Sequence, residues 1–313
     1  MPAVWFRRHT GFALVLSLAA LGLALLLPSP SLERQAMLLA GFVALLGLPH
    51  GAVDHWQGRD LLAGRYRRRW PLVFGACYSF SALAIAAAWL LWPPLLLTGF
   101  LLLAVVHFGA EDAAVAMAVP GTNRTRHALD AGLRGAMPVL LPVLLWPETT
   151  GTLFAALLPG TDNAPVIAML NGLAPLAPIY LLALAALVIA ALSQRRFYVA
   201  AEVGTLVAVF AALPPLLAFI LYFCFWHAPR HSLRVMAARQ CAGFRAASRS
   251  FVLAAMPLTL VTIAAASLTW AALLATGHVP PATAALQIVF IGLAALTVPH
   301  VALAACHQRA SLN

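Results

Sequence analysis

The chain contains no lysine, and only nine of its 313 residues are acidic. Charged residues make up 9% of it, whereas a soluble domain carries roughly 25%. Hydrophobic residues make up 63%, and the mean hydropathy is +0.93. This composition excludes a soluble globular domain with one membrane anchor. It predicts an all-α, polytopic transmembrane helical bundle that forms a single integral-membrane domain over residues 1–313.

Cysteine is also scarce: the four cysteines lie far apart and form no CxxC pair, so neither a disulfide framework nor a zinc knuckle is expected. The net charge of +10 comes from arginine alone. The arginines lie in short segments between apolar runs, which is typical of topology signals and argues against nucleic-acid binding. No A-x-A cleavage site follows the first apolar run, so we interpret it as an uncleaved helix.

Ten apolar runs approach the length of about 20 residues that a membrane span needs. They cover 11–28, 35–56, 71–92, 95–119, 135–158, 176–193, 197–213, 216–238, 250–275 and 282–306. Runs 135–158 and 197–213 are the weakest, so eight to ten spans are expected. Ten spans place the basic segments 59–69, 124–134, 195–196 and 239–249 on one side. The positive-inside rule then predicts a cell-membrane protein with both termini in the cytoplasm.

Histidine stands out in this apolar chain. Five of the ten histidines lie within or at the inner end of apolar spans: His50, His107, His227, His231 and His300. In the predicted topology their helices run in the same direction and their depths in the membrane overlap. An ionisable residue within a span marks a functional site by default. Several imidazoles at one level predict shared ligation of a metal such as Zn, Cu, Fe or Ni.

The other five histidines fall outside this level. His9, His127 and His278 lie in tail or loop positions and are expected to be solvated. His55 beside Trp56, and His307, are expected to anchor helix ends at the membrane interface.

The segment HAPRH places His227 and His231 four residues apart, on one face of a helix, where both can bind the same ion. Pro229 between them is expected to kink that helix. Asp54 and Glu111 each follow a histidine by four residues, and a carboxylate often fixes the tautomer of a metal-ligating imidazole. We therefore predict Asp54 as a partner of His50 and Glu111 as a partner of His107. The aromatic run before HAPRH suits either packing or an apolar substrate tunnel.

The segments GLPHGAVDHW, VVHFGAED, FCFWHAPRH and VPHVALAACH resemble the Brp/Blh family of bacterial and archaeal β-carotene dioxygenases. The resemblance implies cleavage of β-carotene by O2 at its central 15,15′ double bond, which gives two retinals, at a non-haem Fe(II) in the lipid bilayer. It also implies a functional link to a microbial rhodopsin. At the matching positions it implies four ligands, His50, His107, His227 and His231. It assigns His300 to the surroundings of the metal or the substrate pocket, with ligation as the alternative.

Two other classes stay open on the residues alone. A membrane di-iron desaturase or hydroxylase also gathers histidines near the cytoplasmic face, but it uses HxxHH boxes, which are absent here. A metal or proton transporter uses intramembrane His and Asp residues as a relay along a pathway. The histidines of this chain gather at one level instead, which favours a single metal site.

Overall fold

The structure is a computed structural model that describes residues 2–116, 124–239, 241 and 243–310. Within this part of the chain all regular structure is helical. The first half contains α1 (Pro2–Leu26), α2 (Leu32–Phe42), a π-helix π1 (Val43–Gly47), α3 (Leu48–Ala52), α4 (Asp54–Tyr66), α5 (Trp70–Leu91), α6 (Pro93–Ala116), α7 (Arg124–Leu145) and α8 (Pro147–Ala156). A short 3₁₀ turn, Arg67–Arg69, joins α4 to α5.

The second half begins with α9 (Asn163–Leu173), which a second 3₁₀ turn, Ala174–Leu176, joins to the next helix. It continues with α10 (Ala177–Ser193), α11 (Phe197–Ala212), α12 (Pro215–Ile220), a second π-helix π2 (Leu221–His227), α13 (Ala228–Ala238), α14 (Phe244–Ala275) and α15 (Pro281–Ala310). Proline begins several of these helices because its missing N–H is not needed in the first turn.

The predicted fold class is confirmed. Seven described stretches are long and apolar enough to cross a membrane, so this is a multi-pass membrane protein. They are Val4–Leu26, Leu32–Leu91, Pro93–Ala113, Ala128–Leu145, Asn163–Ser193, Phe244–Ala275 and Pro281–Ala310. The stretch Leu32–Leu91 contains two of the predicted spans, 35–56 and 71–92. The end of the predicted span 95–119 lies outside the described residues.

The prediction of one continuous span over 135–158 was wrong. The chain breaks at Trp146 (φ −133°, ψ 52°), because the residue before a proline is pushed out of the helical region, and α8 begins at Pro147. The structure then adds α9, in the interval between the predicted spans 135–158 and 176–193. Gly151 on α8 lies against Ile167 on α9 so closely that a Cβ there would come within 2.7 Å of the isoleucine side chain.

Helices α6 and α7 pack closely through two glycines. A Cβ on Gly109 would overlap the backbone carbonyl of Ala131, and one on Gly135 would overlap the carbonyl of Val105. Small residues allow membrane helices to approach in this way. The contact fixes the position of α6, which carries His107.

Candidate metal centre

Two π-helices lead into the histidine-bearing turns. π1 ends at Gly47, three residues before His50, and π2 ends at His227. Proline follows each of them, Pro49 in α3 and Pro229 in α13. A proline has no N–H to continue the helical ladder, and π-turns are frequent at functional sites.

The two π-helices contact each other at a glycine. A Cβ on Gly47 would lie 2.7 Å from Cε1 of Phe223, so a larger residue at this position would push π2 away. This close approach places the ring of His50 5.9 Å from that of His227, measured between centroids. Because Gly47 has no side chain, His50 and His227, which are 177 positions apart in the chain, lie close together.

All five predicted membrane histidines form a single cluster. Neighbouring ring centroids are 5.0 Å apart for His107 and His227, 5.1 Å for His107 and His300, 5.0 Å for His231 and His300, and 5.4 Å for His50 and His231. Ring nitrogens of His50, His107 and His300 all lie within 4.8 Å of one another. The structure therefore groups His300 with the predicted ligands rather than at a distance from them.

Several ring nitrogens of this cluster lack hydrogen-bond partners. Both ring nitrogens of His227, Nε2 of His231 and Nε2 of His300 are buried without a partner among the described residues. A buried polar atom that makes no hydrogen bond costs about 1–3 kcal/mol. Nitrogen lone pairs that converge on one place are the donors that a transition-metal ion uses, so the residues present fit a bound metal.

Asp54 holds His300, not His50. Its carboxylate oxygens lie 2.9 and 2.8 Å from Nδ1 of His300, and the hydroxyl of Tyr78 donates to Oδ2 at 2.8 Å. The predicted pairing of Asp54 with His50 was wrong because the helix breaks at Val53 (φ −92°, ψ 6°), between α3 and α4. His50 instead donates from Nδ1 to the carbonyl of Gly47. Both bonds leave Nε2 free to bind a metal.

Glu111 also faces a different histidine from the predicted one. Its Oε2 lies 3.3 Å from Nδ1 of His231, and its Oε1 accepts a hydrogen bond from Arg234. Glu111 and His107 share one helix, but the packing of α13 on α6 brings His231 to the carboxylate. Helical spacing identified Glu111 as a carboxylate near the cluster, but the prediction of His107 as its partner was wrong.

A buried charge network, which the sequence analysis missed, lies behind HAPRH. The guanidinium of Arg230 binds both carboxylate oxygens of Glu202, at 2.5 and 2.7 Å, and lies 3.4 Å from Asp112. Arg134 binds the same Glu202, and Tyr222 donates to Asp112 at 2.8 Å. A buried charge is stable only when it is paired, so this network fixes α13 against α6, α7 and α11. The signal in the sequence was Glu202 itself, a lone carboxylate in an apolar helix.

The histidine cluster opens on an apolar cavity of ≈ 330 Å³. His50, His107 and His300 line it, together with Asp54 and Tyr78. The remaining wall is mainly aliphatic and aromatic, including Phe100, Phe154, Phe219, Phe223 and Phe290. The aromatic run before HAPRH therefore divides: Phe219 and Phe223 face the cavity, whereas Tyr222 and Trp226 are buried in the core.

Residues 42–307 match the family of beta-carotene 15,15′-dioxygenases. The chain belongs to this family. It is 30% identical over 299 residues to the probable beta-carotene 15,15′-dioxygenase Blh of Halobacterium salinarum, a match that covers 86% of this chain and 83% of that protein. It is 29% identical over 261 residues to the beta-carotene 15,15′-dioxygenase of the uncultured marine bacterium 66A03, covering 83% and 90%. No solved structure gives a significant match.

This dioxygenase-family enzyme has its whole histidine cluster within the matched residues, whereas α1 precedes them. Of the histidines expected to be solvated, His278 is exposed, and the side chain of His127 lies outside the described part. The expectation for His9 was wrong: it is half-buried, and its Nε2 donates to the carbonyl of Phe225 at 2.9 Å. The two expected interface anchors, His55 and His307, are half-buried outside the cluster.

Proposed function

We propose that this protein cleaves β-carotene at its central 15,15′ double bond with O2 and releases two molecules of retinal. The observation that supports it most directly is the cluster of five imidazoles, which contains buried nitrogens without hydrogen-bond partners and lies beside an apolar cavity lined by His50, His107 and His300. The names of both relatives point to the same reaction. One double bond breaks, and each new aldehyde receives one atom of the dioxygen molecule.

We propose Fe(II) as the cofactor, held by His50, His107, His227 and His231. His300 is a fifth candidate ligand, because its Nε2 has no hydrogen-bond partner and a ring nitrogen of His300 lies within 4.8 Å of ring nitrogens of His50 and His107. When bound, the ferrous ion supplies the redox chemistry that joins dioxygen to the alkene. Imidazole suits this metal.

The protein's own residues bind the substrate and orient the histidines of the cluster. The apolar cavity walls suit a hydrocarbon polyene that partitions into lipid, and they restrict water around the reacting double bond. Asp54 and Tyr78 fix the tautomer of His300, and Glu111 faces His231. The reaction requires no general acid or nucleophile from the chain.

We further propose that the chain is one integral-membrane domain of the cell membrane, with both termini in the cytoplasm. Exposed arginines such as Arg67, Arg68 and Arg69 support this orientation through the positive-inside rule. We also propose a functional link to a microbial rhodopsin through the retinal that is produced in the bilayer.

Expression in a bacterium that accumulates β-carotene tests the activity. We expect the cells to bleach and retinal to appear in the extract. Coloured cells that contain well-expressed protein would contradict the proposal. Iron content separates the remaining classes: a single iron per chain supports the dioxygenase, two support a di-iron desaturase, and none supports a transporter.

The proposed ligand set is tested by His227→Ala, with His278→Ala as its matched control. We expect His227→Ala to lose iron and retinal production, because one of the converging imidazoles is removed. His278 is exposed, so His278→Ala should keep both. Iron retained by His227→Ala at the wild-type level would remove His227 from the ligand set.

A further inference from the structure

The carbonyl of Phe225 lies four residues before Pro229, which has no N–H to donate to it. In an α-helix this carbonyl would accept from the N–H four residues later, and a proline has none. Phe225 lies within π2, two residues before His227. Backbone carbonyls in an apolar membrane environment are stabilised by hydrogen-bond donors, so a donor from another helix at this position stabilises the local conformation of π2.

Helix α1 supplies that donor. Nε2 of His9 lies 2.9 Å from the carbonyl oxygen of Phe225, and since a carbonyl only accepts, the imidazole donates. The next residue of π2 is also bound to α1: the indole N–H of Trp226 donates to Oγ of Ser17 at 3.0 Å. Trp226 is fully buried and Ser17 is 1% exposed. Two consecutive residues immediately before His227 are thus each held by one polar side chain of α1.

We propose that His9 and Ser17 are positioning residues for the metal centre. By bonding the carbonyl of Phe225, to which Pro229 cannot donate, and the indole of Trp226, they fix the π-helical conformation of Leu221–His227 and so the direction of the His227 imidazole. This inference rests on the proposed function, in which His227 binds the metal. Their helix, α1, precedes the residues that match the family.

The alternative is that α1 only packs against the bundle. Its buried residue Ala13 belongs to the main apolar core, which provides such packing. Under that alternative, an apolar residue in place of His9 would leave the metal centre unchanged. A glutamine at the same position is the informative comparison, because its amide N–H is able to replace the Nε2–H donor.

The test uses the full chain purified in detergent and loaded with Co²⁺, whose visible absorption reports the geometry of its ligands. We expect His9→Leu to shift the cobalt spectrum and to release the metal to a chelator faster. Groups that orient a ligand typically change metal affinity by about 10–100-fold. His9→Gln should restore the wild-type spectrum and release rate, and Arg8→Gln, at the neighbouring exposed position, should not alter them.

A wild-type cobalt spectrum and release rate in His9→Leu overturns the inference. If His9→Leu does not accumulate as folded protein, Ser17→Ala decides, because it removes only the Oγ acceptor: a spectral shift supports the inference and a wild-type spectrum overturns it. His227→Ala distinguishes a failure of the proposed ligand set from a failure of the role proposed for α1. Cobalt bound normally by His227→Ala contradicts the proposed ligand, whereas cobalt lost there and unchanged in His9→Leu contradicts only the role of α1.

Discussion

Two kinds of contact orient the histidines of the cluster, namely hydrogen bonds and aromatic packing. Hydrogen bonds hold His50 and His300: the carbonyl of Gly47 and the carboxylate of Asp54 accept from Nδ1 and leave Nε2 free. Aromatic packing holds His227, whose ring lies 4.6 Å from that of Phe108 and stacks on Phe223 at 17°. A ring held by packing keeps both nitrogens without partners, so His227 is the most dependent on a metal for their satisfaction.

At the residue scale, Asp54→Leu should weaken metal binding about 10–100-fold, because Nδ1 of His300 loses its acceptor. Competition with a chelator on the purified protein measures the change. Asp54→Asn keeps an acceptor oxygen, so its metal affinity should lie between those of the wild type and Asp54→Leu. The matched control is Asp60→Leu, which removes an exposed carboxylate from the same helix α4. Equal affinities for Asp54→Leu and Asp60→Leu would show that the bond to His300 does not support the site.

The sequence identified all five residues of the cluster, because an ionisable side chain in an apolar run is visible without any structure. Their partners were not predictable to the same degree. The spacing of Asp54 from His50 implies one helical face, and that face is lost at Val53. Glu111 contacts His231 only through the packing of two helices, which no spacing along the chain encodes.

At the scale of elements, the site depends on places where helices approach more closely than side chains allow. Gly47 lets π1 contact π2, and Gly109 and Gly135 let α6 contact α7. The sequence located the runs that contain these helices but not their π-turns or close contacts. A glycine in an apolar run looks the same whether a neighbour or lipid faces it.

Gly109→Ala therefore tests the position of α6. The added Cβ would meet the backbone carbonyl of Ala131, which cannot rotate away, so we expect a loss of about 1–3 kcal/mol in the free energy of unfolding. Metal content should fall as well, since His107 lies two residues away. Gly99→Ala on the same helix meets nothing within 4 Å and should leave both quantities unchanged. Thermal unfolding and metal analysis of the two variants make the comparison, and identical results would contradict the role of this contact.

At the scale of the whole molecule, arginine has two uses that the sequence did not separate. Arg134 lies in the segment 124–134, interpreted as a topology signal, and Arg230 lies in the predicted span 216–238, yet both are buried and paired with Glu202. With Asp112 the network has two positive and two negative charges, so it places no net charge in the core. The segment 124–134 begins α7 rather than forming a loop. A buried arginine is distinguished from an exposed one only by its neighbours in space.

The exposed arginines still gather with both ends of the described chain. Trp5 near the start of α1 packs on Phe244 at the start of α14, with ring centroids 5.2 Å apart. The guanidinium of exposed Arg239 lies 4.4 Å over the ring of Trp56. Asp60 on α4, the helix that leads to Arg67–Arg69, lies 3.6 Å from His307 near the end of α15. These contacts place the two ends of the described chain at one end of the bundle with the basic residues.

This arrangement predicts a definite orientation in the membrane. In a variant whose four native cysteines are replaced by alanine, a cysteine introduced by Arg67→Cys should react with a membrane-impermeant thiol reagent only after the cells are opened. His278→Cys, in the exposed segment between α14 and α15, should react in intact cells. The physical reason is that basic segments are retained in the cytoplasm, so α14 carries the chain outward and α15 returns it. The reverse labelling pattern would place the basic end and both termini outside, and it would remove the proposed orientation while leaving the metal centre unaffected.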